Sequence, residues 1–344
     1  MNRLGKDMVR YFAWCIGAAF TAAITMAPAG AQQSAEEFFE RKTITYIVSS
    51  EPGGGYDTYG RLIARHMEKY LPVRRIVVRN ATGAGNIIGA NTIFVARPDG
   101  LTIGTFNTGL VYGQLLDLQG IRFDLTEMSW IGKMAEEGRT MVLATNSGFD
   151  DIQDLIDSPE TIRLASASLG TANHIELLIL RAALGLNVRL IPGISGGEFE
   201  LSMMRGEVAG ALNTTSSREE FVARGAGKYV LTVTGEEARA LGVPQARALV
   251  TDPRFTPLLE LTESVAVLGR LTAGPPDIPA DRLALLRDVY MKVAADPEFL
   301  EQAAALNIPI QPSRGEAVEQ RIRSALNQPP ETTAELKRVI EAGD

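Results

Sequence analysis

A chain of 344 residues is long enough for two domains with substantial cores. Its 45% hydrophobic and 22% charged content is ordinary for a globular protein. A formal net charge of −7 without a long basic run argues against nucleic-acid binding.

The first predicted element is a targeting segment. Arg3, Lys6 and Arg10 form a basic start, 11–26 are apolar, and Ala29-Gly30-Ala31 reads as a cleavage site. The apolar run is short for a membrane span and ends in Pro28 and small residues, so 1–31 is expected to be a cleaved signal peptide rather than an anchor. The only cysteine, Cys15, leaves with it. Trp14 stands where lipoprotein processing needs a small residue, which argues against lipid anchoring. The mature chain then has no disulfide, no thiolate nucleophile and no cysteine-ligated zinc. Residues 32–42 read as a loose polar lead-in.

Residues 43–49 are β-branched and apolar and predict a buried strand. Glu51-Pro52-Gly53-Gly54-Gly55 cannot continue it. Across 56–71, Tyr59, Leu62, Ile63, His66 and Met67 fall near one face of a helix. Glycines let a ligand approach the backbone, and a helix start offers unpaired N–H groups and a positive dipole end. The loop therefore suits a carboxylate or phosphate. A tight turn that needs positive φ explains the same glycines.

A strand at 75–78 leads into Asn80-Ala81-Thr82-Gly83-Ala84-Gly85 and a helix. The spacing here is GxGxxxG, not the GxGxxG of a dinucleotide site, and no acidic partner follows at a strand end. Pro98-Asp99-Gly100 is a turn, and 101–106 a strand ending at Asn107-Thr108-Gly109. Strands follow at 130–134 and 140–145, a short helix at 151–156, and a strand at 162–167. Ser168-Leu169-Gly170-Thr171-Ala172-Asn173-His174 then opens a helix and repeats the first device. His174 reads either as a ligand contact or general base, or as a solvated or capping residue. Next come a strand at 188–191, the turn holding Ser195, Gly196 and Gly197, and a helix through 205. A strand at 209–212 ends at Asn213-Thr214-Thr215-Ser216, and one at 229–234 runs into Gly235-Glu236-Glu237-Ala238-Arg239. Residues 264–272 predict a strand returning to the first domain. Helices are expected at 280–295, after Asp296-Pro297-Glu298, at 316–326 and at 332–341. Strands alternating with helices predict an α/β fold with mostly parallel sheets, whose ligands sit at the carboxyl ends of the strands.

In order and spacing these motifs resemble the TctC/Bug family, the periplasmic solute-binding proteins of tripartite tricarboxylate transporters, over roughly 42–330. The resemblance is carried by the Pro52–Gly55 loop with Asp57 and Arg61, the Asn80 turn, Pro98-Asp99-Gly100, the 168–174 loop, Gly196-Gly197, Gly206-Glu207-Val208 and Asp296-Pro297-Glu298. It implies a two-lobed, type II-like periplasmic-binding-protein fold with a two-strand hinge. One lobe would be 42–142 plus 264–344, the other 143–263. It further implies a periplasmic receptor that captures a small carboxylate-bearing metabolite, an organic acid or an amino-acid-like molecule. The ligand would pass to the permease subunits of the transporter. The receptor would be a monomer with no cofactor, metal or catalytic residue. The expected ligand-binding residues are Glu51, Pro52, Gly53, Gly54, Gly55, Tyr56, Asp57, Asn107 and Thr108 on one side. On the other they are Ser168, Gly170, Thr171, Ala172, His174, Ser195, Gly196 and Asn213.

Two features depart from the family pattern: Ser49-Ser50-Glu51 before the glycines, and Asn173-His174. Glu51 either meets a cationic group on the ligand or points to solvent. The alternatives to a transport receptor are a nucleotide-dependent or hydrolytic enzyme and a ligand-binding partner of a sensor kinase. Against an enzyme stand two histidines in all, no H-x-x-x-H pair and no G-x-S-x-G elbow.

Overall fold

The computed structural model describes residues 33–136, 138–234 and 239–343. The expected signal peptide and residues 235–238 of the turn before Arg239 lie outside them. Among the described residues no helix is long and apolar enough to cross a membrane.

The chain first builds β1 (Thr43–Val48), β2 (Arg75–Asn80), β3 (Thr102–Phe106) and β4 (Ser129–Lys133). It continues with β5 (Arg139–Ala144), β6 (Ile162–Ala165), β7 (Val188–Ile191), β8 (Gly210–Thr214) and β9 (Gly227–Thr234). It returns with β10 (Leu271–Gly274) and β11 (Ser313–Arg314). These form a six-stranded sheet, β11-β4-β10-β3-β1-β2, and a five-stranded sheet, β7-β6-β8-β5-β9.

Both sheets are mixed rather than mostly parallel. β1 pairs parallel with β2 and β3, and β6 with β7 and β8. β10 lies antiparallel between β3 and β4, and β5 antiparallel between β8 and β9. The reversed strand inside each sheet is the one by which the chain arrives from the other sheet. The first passage falls at 134–138, ahead of Val142-Leu143, because all of β5 pairs in the second sheet.

The expected strand at 264–272 is corrected. A helix, Thr256–Ala266, occupies its first part, started by a proline in its first turn and burying Leu258, Leu261, Thr262 and Val265 at helical spacing. Its apolar end runs on into β10, so helix and strand merge into one apolar run in the sequence. The lead-in is also partly ordered: Ala35–Phe39 is helical, with Phe39 fully buried.

Packing explains how the first sheet holds its reversed strand. The buried Tyr46 hydroxyl on β1 lies 2.8 Å from Thr105 Oγ1 on β3 and 2.8 Å from Thr272 Oγ1 on β10. A buried phenol needs such partners, and burial pushes its pKa to about 12. The largest apolar cluster joins Phe106 and Trp130 of the first sheet to Met141, Leu212 and Leu231 of the second. The helix Gly315–Leu326 packs on β4, but the last helix, Pro330–Glu341, packs on Ala172–Ala183 behind the second sheet. Residues 327–329 thus make a third passage between the two sheets.

Candidate functional site

Two helices start at one cavity. Gly55–Met67 follows β1 and Ala172–Ala183 follows β6, and neither has a side-chain cap at its N-terminus. Asp151 and Asp296 do cap the helices Ile152–Asp157 and Pro297–Ala305. The first-turn N–H groups of the two uncapped helices therefore have no intrahelical partner and carry the positive dipole end.

The cavity has a volume of about 240 Å³. Glu51, Gly54, Gly55, Tyr56 and Asn107 line it from the first sheet. Ser168, Thr171, Ala172, Gly196 and Asn213 line it from the second. A larger groove of about 560 Å³ lies between 215–229 and 304–309, but it has neither helix start and only one charged side chain, Glu219.

Pro52, Gly53, Asp57, Thr108, Gly170, His174 and Ser195 do not line the cavity. Several of them support the residues that do. Asp57 accepts hydrogen bonds from the Gly53 amide, Arg61 Nε and Asn80 Nδ2, each at 2.9 Å. Burial alone would raise its carboxyl pKa, but these bonds outweigh it and hold the group below the ordinary range. His174 Nδ1 lies 2.7 Å from Ser166 Oγ under the second loop, and is buried. The other histidine, His66, packs against Phe299 with ring centroids 5.4 Å apart. Neither histidine faces the cavity, so neither is placed as a general base there. Asn173 accepts from the Ala167 amide at 2.7 Å and donates to the Leu212 carbonyl, tying the ends of β6 and β8 together. Gly170 has φ +77, so its loop needs a glycine. Ser195 and Pro52 belong to turns beside the cavity.

The residues missed by sequence reasoning include all the cations of the site. Arg139, Arg218 and Arg270 all line the cavity, together with Ser50, Asn86, Asn173 and Phe199. Arg139 donates from Nε to Glu176 Oε2 at 2.7 Å and lies 3.5 Å from Thr108 Oγ1. Arg270 has φ +58, and its guanidinium lies 4.1 Å from the Tyr56 ring centroid and 4.7 Å from that of Tyr59. A Cβ on Gly55 would stand 2.9 Å from Arg270 Nη2. Gly55 is therefore small to admit a guanidinium. Three buried polar atoms of lining residues have no hydrogen-bond partner among the described residues: Ser50 Oγ, Asn213 Nδ2 and Arg218 Nε. A buried polar atom left so costs about 1–3 kcal/mol, which a bound acceptor would offset. One signal existed in the sequence: Arg270 interrupts the apolar run 265–273, where a charged side chain is rarely buried unless paired. No group of three or more His, Cys, Asp or Glu among the described residues is placed to hold a metal.

Two α/β sheets, each sending an uncapped helix start to one donor-lined cavity, define a solute-binding protein. Residues 60–305 match the family described as the tripartite tricarboxylate transporter family receptor, and the chain belongs to that family. A UPF0065 protein of Bordetella pertussis is 27% identical over 290 residues, covering 82% of this chain and 84% of that one. Among solved structures, the periplasmic binding protein BugD superposes with a TM-score of 0.71 at 20% identity, over 88% of this chain and 98% of its own. MatC from Rhodopseudomonas palustris, solved with bound malate, superposes with a TM-score of 0.68 at 19% identity, over 87% and 99%. These likenesses carry the two-lobed binding-protein fold.

Proposed function

We propose that the chain is a periplasmic receptor that captures a small carboxylate-bearing metabolite in this cavity and delivers it to the permease subunits of a tripartite tricarboxylate-type transporter. The observation that carries the reading is the meeting of two uncapped helix starts and three arginines on one cavity. Oriented N–H groups and guanidinium donors favour a carboxylate and offer nothing to a cation. A volume of about 240 Å³ lies below the range usual for drug-sized ligands, which favours a short metabolite. The malate in MatC supports an acid of that size. The passages of the chain between β4 and β5 and just before β10 support a hinge between the two lobes, with β5 and the last helix on the side of the second sheet rather than in the lobe expected over 42–142 plus 264–344. Both walls of the cavity come from one chain, which is compatible with a receptor that acts as a monomer.

Glu51 lines the cavity yet is solvent-exposed, so it stands at the rim. That position favours a second ligand class, an amino acid whose ammonium group stays near water. A thermal-shift screen over mono- and dicarboxylates, amino acids and amines tests both classes. Stabilisation by acids or amino acids is expected. Stabilisation by amines alone, or by nothing in the set, would count against the reading.

A further inference from the structure

Arg218 ends the short turn Ser216–Arg218 after β8 and is 6% exposed. Its guanidinium is held on several sides. It lies 5.4 Å from the Phe199 ring centroid, Nη1 donates to Glu200 Oε1 at 2.7 Å, and Nη2 approaches the Gly196 carbonyl at 3.4 Å. Its Nε has no hydrogen-bond partner among the described residues, and neither does Nδ2 of Asn213 on β8. Both atoms are buried, both residues line the cavity, and both belong to the wall supplied by the second sheet. Nε and Nδ2 are donors only, so what completes them is an acceptor, and beside a guanidinium an anionic one. Glu200 does not supply it: it engages the other end of the guanidinium and is about one-third exposed, where water screens it. The guanidinium is already fixed before a ligand arrives, so binding orders no long side chain.

We propose that Arg218 and Asn213 form a second anion subsite that receives the distal carboxylate of a dicarboxylate whose first carboxylate sits at the helix starts. The inference rests on the receptor reading above and adds the residues that separate dicarboxylates from monocarboxylates. Isothermal titration of the protein with succinate, glutarate and adipate, each beside butyrate, valerate or hexanoate of equal length, tests it. The unaltered protein should bind at least one diacid about tenfold or more tighter than its monoacid, as expected for a buried charge-assisted bond. Arg218→Met keeps most of the stem and should bring that ratio close to one, with diacid affinity falling about tenfold further than monoacid affinity. Asn213→Asp, nearly isosteric, puts a carboxylate where the donor stood and should lower diacid affinity without lowering the melting temperature.

A merely structural Arg218 would weaken diacid and monoacid alike. That result, or an unchanged ratio in folded Arg218→Met protein, overturns the subsite and leaves the receptor reading standing. If the unaltered protein binds no acid of either series, the subsite fails; the receptor reading fails with it when the amino acids of the thermal-shift screen also leave the protein unstabilised.

Discussion

Asp57 illustrates how a residue can serve a site without facing it. Its carboxylate gathers the Gly53 amide, Arg61 and Asn80, and so fixes the loop whose next residues line the cavity. Its pKa is lowered from an ordinary 3.8 in the fold, so its contribution is fully present above that value and is lost as pH falls through the folded value. Asp57→Asn should melt earlier than the parent at pH 7, and the gap should close as the pH drops below about 4. Melting curves from pH 7 to pH 3 check this; a gap unchanged across that range would mean the carboxylate is not what holds the loop. In the sequence, Asp57 and Arg61 were legible as a pair belonging to a family loop. Their support role was not, because hydrogen bonds to a distant strand residue such as Asn80 leave no local trace.

At the scale of elements, the glycines of the two loops do different work. Gly54 has φ −82, and a Cβ there would meet only the Glu51 carbonyl at 3.6 Å. Gly170 has room, since a Cβ there would meet only Leu118 Cδ1 at 3.7 Å, but its φ is +77. Gly55 has neither constraint on φ nor room, because Arg270 lies over it. Gly54→Ala should therefore leave stability nearly unchanged, while Gly170→Ala should cost about 1–2 kcal/mol through the left-handed backbone alone. Urea denaturation of the two variants separates them; equal losses would contradict this division. Strand–loop–helix units were readable because β-branched runs, breakers and helical spacing are local signals. The strand expected at 264–272 was misplaced because the apolar end of a helix and the apolar start of β10 adjoin. The three cavity arginines sit singly in strands and turns, and a lone cation has no period that predicts where it points.

For the whole molecule, closure about the passages between the sheets should depend on ligand. Contacts made by both walls exist only when the lobes meet, so a ligand biases the closed form. At about one hundred times its dissociation constant an acid should add roughly 2.7 kcal/mol of stability. Small-angle scattering should show a smaller radius of gyration in the same sample; stabilisation with no compaction would point to a lobe pair already closed. The last helix constrains this motion. Pro330–Glu341 buries Leu336 and Val339 against the second sheet's side, worth about 1.5–3 kcal/mol for each such side chain, so it should travel with that side and leave 327–329 to bend.

The two uncapped helix starts have a consequence for descent. A main-chain N–H cannot be removed by changing a codon, short of proline, so a taste for anions built on such groups survives nearly every substitution. The side chains that line the rest of the cavity have no such protection. A lineage carrying this fold can therefore exchange one acid for another by altering a few positions there, while its basic commitment to acids is held by the backbone and is the last thing to drift.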